Sequence, residues 1–160
     1  MKHRPTLRLK HVLSPLHRHL GIVLALTGLL LVSCDSPPVD SPQEAVQHQL
    51  AGSWLRQYEL EGAWVRRLLV LEADGHFSET ARVVDAGGNV TQHNHAGEWT
   101  FDGTNLKRRY TSFDGKQPAA PTLPYVTFQI RFESSREFVG IDHIRKREVR
   151  YQRAEQGAVP

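Results

Sequence analysis

His93 and His95 are the pair of residues in this sequence best spaced for metal chemistry. Residues two apart on a strand project from one face, so both imidazoles would point the same way. Two such nitrogens hold zinc or copper once a third nitrogen, sulfur or carboxylate ligand converges, and His76 or His143 are the candidates to supply it. The competing reading is an exposed strand end, because Asn94 lies between the two histidines and Gly97 follows closely.

Other reactions need residue sets that the sequence lacks. Glu59 and Glu61 share a strand face but have no recognisable partner for general acid and base work. No Gly-x-Ser-x-Gly turn raises a nucleophile. Gly87-Gly88-Asn89 is not followed by the Lys and Ser or Thr of a phosphate-binding loop. The expectation is a protein that is not an enzyme and uses no cofactor. The basic runs Lys107-Arg108-Arg109 and Arg145-Lys146-Arg147, with Arg150 and Arg153 nearby, suit one of two roles. They could meet anionic lipid headgroups at about 1 kcal/mol per base, or form a charged outer face that blunts edge-to-edge pairing of strands.

Cys34 is the only cysteine in 160 residues and has no intramolecular disulfide partner. Lys2, Arg4, Arg8, Lys10 and Arg18 precede it without an acidic residue, and Leu20 to Val32 is apolar. That run is about thirteen residues long, within the 7 to 15 of secretory signals and short of the roughly twenty that span a bilayer. Its end, Leu31-Val32-Ser33-Cys34, resembles the lipobox of bacterial lipoproteins, where aliphatic and small residues precede an obligatory cysteine. The resemblance implies cleavage before Cys34, a diacylglyceryl thioether on its sulfur and a further acyl chain, such as palmitate, on the new amino terminus. The lipid bilayer is then a partner, held stably because each buried methylene contributes about 0.8 kcal/mol. Asp35 follows the cysteine, a feature associated in enteric lipoproteins with retention at the inner membrane, so the resemblance implies a periplasm-facing cell-envelope protein with that membrane favoured.

Cleavage would also reverse the charge balance. The chain has 20 Lys and Arg against 17 Asp and Glu, and five of the bases but none of the acids lie before Cys34. The remainder carries 15 against 17, or about −2. A basic chain invites a nucleic-acid reading. Here the basicity belongs to the removed segment, and no nucleic-acid partner is expected.

Asp35 to Glu44 reads DSPPVDSPQE, the composition of an extended spacer with little to bury. Ala45 to Leu50 suits one short amphipathic turn. Beyond it the pattern is all-β. In Tyr125 to Glu133, residues Val126, Phe128, Ile130 and Phe132 fall on one face and polar residues on the other. Further strands are expected at Trp54–Leu60, Trp64–Glu72, His76–Val84, Val90–Phe101 with a break near Gly97, Leu106–Ser112, Glu137–Asp142 and Arg147–Arg153. Asp74-Gly75, Gly87-Gly88-Asn89, Asp102-Gly103 and Asp114-Gly115 supply the turns. About eight antiparallel strands in an up-and-down meander can hide their edges by closing into a barrel. The Pro-rich stretch Asp114 to Pro124 is a loop that could cover one mouth.

Gly52-Ser53-Trp54 resembles the Gly-x-Trp signature of lipocalin and calycin barrels, and Leu71 to Phe77 and Gly97 to Gly103 are similar to strand-turn elements of short bacterial lipocalin-like lipoprotein domains. The resemblance implies that Trp54 packs across a closed barrel end beneath an arginine of the last strand, Arg150 or Arg153. The organisation expected is a signal peptide over 1–33, a lipidated tether over 34–49, a barrel over 50–153 and a disordered tail over 154–160. Leu69, Leu71, Phe77, Val126, Phe128, Ile130 and Phe132 would face inward, either filling the core or lining a small apolar cavity. The function expected is a membrane-anchored module that binds a small apolar ligand or an envelope protein. The alternatives are a structural or assembly lipoprotein with a filled core, and a metal-binding protein using His93 and His95. Metabolic labelling with a fatty-acid probe tests the anchor: the wild-type chain is expected to take up label and Cys34→Ala to take up none.

Overall fold

The structure, a computed structural model, describes residues 41–119 and 125–160. Residues 1–40, which hold Cys34 and most of the expected signal peptide and spacer, and residues 120–124 of the expected Pro-rich loop lie outside the described residues. Among the described residues, no helix is long and apolar enough to cross a membrane. A short helix, α1 (Pro42–Leu50), precedes eight strands: β1 (Gly52–Leu60), β2 (Ala63–Leu71), β3 (His76–Val84), β4 (Val90–Phe101), β5 (Asn105–Phe113), β6 (Tyr125–Ser134), β7 (Glu137–Asp142) and β8 (Arg147–Arg153). Each strand pairs antiparallel with the next, and β8 returns to β1 through Trp54↔Arg153 and Leu55↔Gln152, closing the barrel. The eight-stranded meander that the sequence pattern predicts is the fold observed.

Local chemistry sets the path. Leu60 pairs with Ala63 across Glu61 and Gly62, both with positive φ (51° and 80°), the two-residue turn whose twist matches that of the flanking strands. The break near Gly97 is a register shift in the β4–β5 ladder between Ala96 and Gly97. A Cβ at Gly97 would lie 2.0 Å from the Arg109 carbonyl oxygen and 2.8 Å from the Phe77 ring, so glycine lets the two backbones meet.

Because strands alternate in direction, the turns after β1, β3, β5 and β7 lie at one end of the barrel and those after β2, β4 and β6 at the other. The second end is plugged. Trp54 is fully buried, 4.7 Å from Phe138 in an edge-on arrangement, and its indole N–H donates to the Leu50 carbonyl at 2.7 Å. Arg153 supplies the arginine, its guanidinium carbon 3.9 Å above the Trp54 ring. The same guanidinium donates to the carbonyls of Gln49 (2.6 Å) and Ala51 (2.7 Å), capping the C-terminus of α1. Arg150, the other candidate, faces outward and pairs with Glu137 and Glu148. Gly52 has φ +119°, and a Cβ there would come 2.5 Å from the Arg153 guanidinium, which explains the glycine two residues before the tryptophan.

Two boundaries differ from expectation. The short turn expected over Ala45–Leu50 of the tether is a full helix, Pro42–Leu50, so the extended spacer does not reach Glu44. Ser41 and Glu44 form a capping box, Pro42 sits in the first turn, and Leu50 is buried against the core. Residues 154–160 are not a loose tail, since the Ala154 N–H donates to the Ser53 carbonyl and Arg66 donates to the Val159 carbonyl. The Gly97 contact gives a test by chemical denaturation. Gly97→Ala, which meets backbone, is expected to cost about 3 kcal/mol or more. Gly88→Ala, strained only by its positive φ and with open space around the Cβ, is expected to cost about 1 to 2 kcal/mol.

Candidate functional site

The inward faces are not wholly apolar. On β2 the inward series is Val65, Arg67, Leu69 and Leu71; on β3 it is Phe77, Glu79 and Ala81; on β5 it is Leu106, Arg108 and Tyr110. Three ionisable side chains therefore enter the barrel on the same parity as its core. Glu79 is 1 % exposed and Arg108 3 % exposed. Arg67 donates to Glu79 Oε1 at 2.5 Å and Arg108 donates to Oε2 at 2.8 Å, so each carboxylate oxygen has its own guanidinium. Nδ1 of His95, whose Cα is the β4 register partner of Glu79, lies 3.2 Å from Oε1. Tyr58 Oη accepts from Arg67 Nε at 2.9 Å.

Burial by itself would push the Glu79 carboxyl up. The charge of Arg108, the His95 hydrogen bond and the charge of Arg67 outweigh it and hold the group well below the usual carboxylate range. Burial pushes the Tyr110 hydroxyl up to about 12 against the opposing charge of Arg108. The Arg108 guanidinium rests 5.5 to 5.7 Å from the rings of Phe77, Tyr110 and Phe128.

A chamber of about 450 Å³ opens above this group at the end opposite the Trp54 plug. Its lining joins Arg56, Arg67, Glu79, His95 and Arg108 to Tyr110, Phe113, Val126 and Phe128, with Leu60, Tyr125, Arg145 and Arg147 towards the mouth. A larger hollow of about 600 Å³ lies on the outer wall beside residues 152–158, away from the buried charges. The interior chamber is the better candidate because the strands hold its polar groups in fixed positions.

Of the expected apolar lining, Val126 and Phe128 face the chamber. Leu69, Leu71 and Phe77 are buried in the core, while Ile130 and Phe132 pack half-buried against it. His93 and His95 share a face, their rings stacked 6.5 Å apart, but they have separate partners. His95 meets Glu79, whereas His93 lies 3.0 Å from Asp114. His76 pairs with Asp74, and His143 bonds Gln129. Neither candidate third ligand joins the pair, and among the described residues no group of three or more His, Cys, Asp or Glu is placed to hold a metal ion. Glu59 points outward on β1 while Glu61 sits in the turn, so the two do not work together.

The basic runs are divided by strand geometry. Lys107 and Arg109 pair outside with Asp102 and Glu98, and Arg108 alone turns inward. Arg145 and Arg147 both reach buried Asp142 at the mouth. The sequence reading missed Arg67, Glu79 and Arg108 as an interior group. The available signal was a charge on the apolar parity of three neighbouring strands. No family model matches the chain, and no curated protein matches it either.

Glu79→Gln tests the network. Loss of the carboxylate leaves two guanidiniums without their counter-ion, and at neutral pH the variant is expected to lose about 3 to 5 kcal/mol in urea denaturation. Because the folded carboxyl titrates below its ordinary value of 4.5, its stabilisation is complete above that pH and fades as pH falls towards the depressed folded value. The gap between wild type and variant should therefore narrow on acidification from pH 4.5.

Proposed function

We propose that this chain is a membrane-anchored lipoprotein of the bacterial cell envelope whose lipocalin-like barrel binds a small molecule in its open-ended chamber. The single observation that carries the reading is the asymmetry of the interior. One half is filled by Trp54, Phe138 and Leu69, and the other keeps about 450 Å³ of space bounded by both charged and aromatic side chains. A volume of that size falls within the usual range of about 300 to 1,000 Å³ for small-molecule sites. The anchor rests on the Leu31 to Cys34 lipobox resemblance.

A protein partner is the second reading, and one observation favours it. Leu60, Trp64, Val90, Tyr125 and Ile144, five of the six large hydrophobic side chains that stand exposed among the described residues, all lie at the mouth end. Exposed apolar residues gathered around one opening suit an interface.

Native mass spectrometry and solvent extraction of the full-length protein separate these readings. The small-molecule reading expects a copurified or readily loaded ligand that raises stability by about 2.7 kcal/mol at a hundredfold excess over Kd. A barrel that takes up no ligand, with a partner protein protecting Trp64 and Ile144 from solvent, would favour the second. A filled interior with neither would return the protein to a structural role.

A further inference from the structure

The seam that closes the barrel is joined at one end and open at the other. β1 runs Gly52–Leu60 and β8 runs Arg147–Arg153, yet only Trp54↔Arg153 and Leu55↔Gln152 are in register between them. Residues 56–60 of β1 and 147–151 of β8 therefore have no strand partner across the seam among the described residues. The Ala154 N–H donates to the Ser53 carbonyl, so Ser53 turns its backbone towards β8. Backbone groups alternate in direction along an antiparallel strand, and those of Gln57 and Glu59 thus point into the gap. A hollow of about 240 Å³, lined by Leu55, Arg56, Gln57, Arg150 and Gln152, lies where the ladder ends.

The two open edges differ in character. On β8, Arg147, Glu148 and Arg150 are exposed, and Arg150 is tied to Glu137 and Glu148. Charges of this kind blunt an edge against pairing. The β1 edge is less guarded, because Gln57 is neutral and Leu60 stands exposed at its end, with exposed Trp64 just past the turn. Arg56 is half-buried, its guanidinium carbon 4.0 Å above the Tyr58 ring, and makes no ion pair among the described residues. β2 pairs with β1 as far as Leu60↔Ala63, so the edge is already extended and in place before anything docks on it.

We infer that the open edge of β1 is a strand-addition site, which takes an extended segment of a partner protein antiparallel to residues 56–60, with an acidic side chain beside Arg56 and an apolar one beside Leu60. Unpaired N–H and C=O groups in a row are the complement of another extended chain, and antiparallel pairing is the more stable kind. Backbone bonds supply the affinity and the side chains of one face the selectivity. Arg56, Tyr58 and Leu60 share a face of β1. The two selected side chains are therefore four residues apart in the partner, the apolar one first because the chains run in opposite directions. This inference needs no guest in the chamber and gives a protein partner at the mouth its mode of binding.

The test is fluorescence anisotropy of a labelled heptapeptide, Thr-Leu-Thr-Val-Thr-Glu-Thr, titrated with the full-length protein. Saturable binding is expected, weakened about tenfold when the peptide's Glu is replaced by Lys, the scale of one charge-assisted hydrogen bond. Methylating the peptide amides at alternate residues should abolish binding in the phase whose N–H groups face β1 and spare it in the other. Gln57→Pro removes an N–H that the β1–β2 ladder does not use, so the circular dichroism of the barrel should persist while peptide binding is lost. Arg56→Glu, which leaves the backbone untouched, should reverse the preference in favour of the Lys peptide and carries the test together with the methylated peptides should Gln57→Pro fail to fold. No binding by the wild-type chain, or binding indifferent to the methylation phase and to Arg56→Glu, would overturn strand addition. Dimerisation in sedimentation equilibrium that Gln57→Pro abolishes would place a second copy on the edge and overturn the assignment to a foreign segment. Ligand loading of the chamber and protection of Trp64 and Ile144 are read separately, so these failures are distinguishable from failure of either reading above.

Discussion

A carboxylate enclosed in a small barrel must be answered by cations, and the upper half of this molecule is built on the answer given to Glu79. Isolated burial of that charge would be prohibitive, so Arg67 and Arg108 each take one of its oxygens and His95 approaches from the neighbouring strand. The four groups come from β2, β3, β4 and β5. Their geometry exists only when those ladders are in register, since a slip of one residue would turn the charges to solvent and the outer polar residues inward. A buried ion group adds little net stability compared with well-packed hydrocarbon. Its effect is to make one register far better than its neighbours, and to leave polar, cationic walls where leucines would have filled the space.

The opposite end solves a different problem by related means. Closing a barrel leaves an opening at the bottom, and α1 covers it while exposing the carbonyls of its own last turn. Arg153 satisfies those carbonyls with its N–H groups and stacks its flat face on Trp54, joining helix, first strand and last strand in one contact. The β1–β8 seam is the shortest ladder in the barrel, with two register pairs, and Trp54↔Arg153 is one of them. A cation on an aromatic face thus stands where few backbone hydrogen bonds do the joining.

The fold was readable because its signals are local. Period-two hydrophobicity, glycine-bearing turns and the Gly97 break each report on a few residues, and each strand was located to within about two residues, the usual uncertainty of element ends. Helix α1 carried an equally local signal, Ser41 with Glu44 three residues on, but the surrounding prolines and acids read as spacer. The charged group was hidden for a different reason. Lys107-Arg108-Arg109 looks uniform in sequence, and only alternation against Leu106 and Tyr110 shows that the middle arginine is enclosed. Arg66-Arg67 poses the same ambiguity on β2. Its resolution depends on Glu79 of another strand, a long-range fact that no window around either residue contains. His93 and His95 were correctly placed on one face. What each of them faces was decided by β3 and by the Asp114 turn.

The distribution of apolar side chains follows from the same division. Where rings could pack, as in Trp54, Phe138 and Tyr151, they are buried. Where the interior is committed to guanidiniums, Leu60, Trp64, Val90, Tyr125 and Ile144 remain outside around the mouth. Folding energetics alone gives no reason to gather exposed hydrocarbon at the end already carrying the internal charge, since both features cost stability. Stability given up at one end of the barrel, while the other is packed and capped, is the pattern expected where a fold trades packing for function.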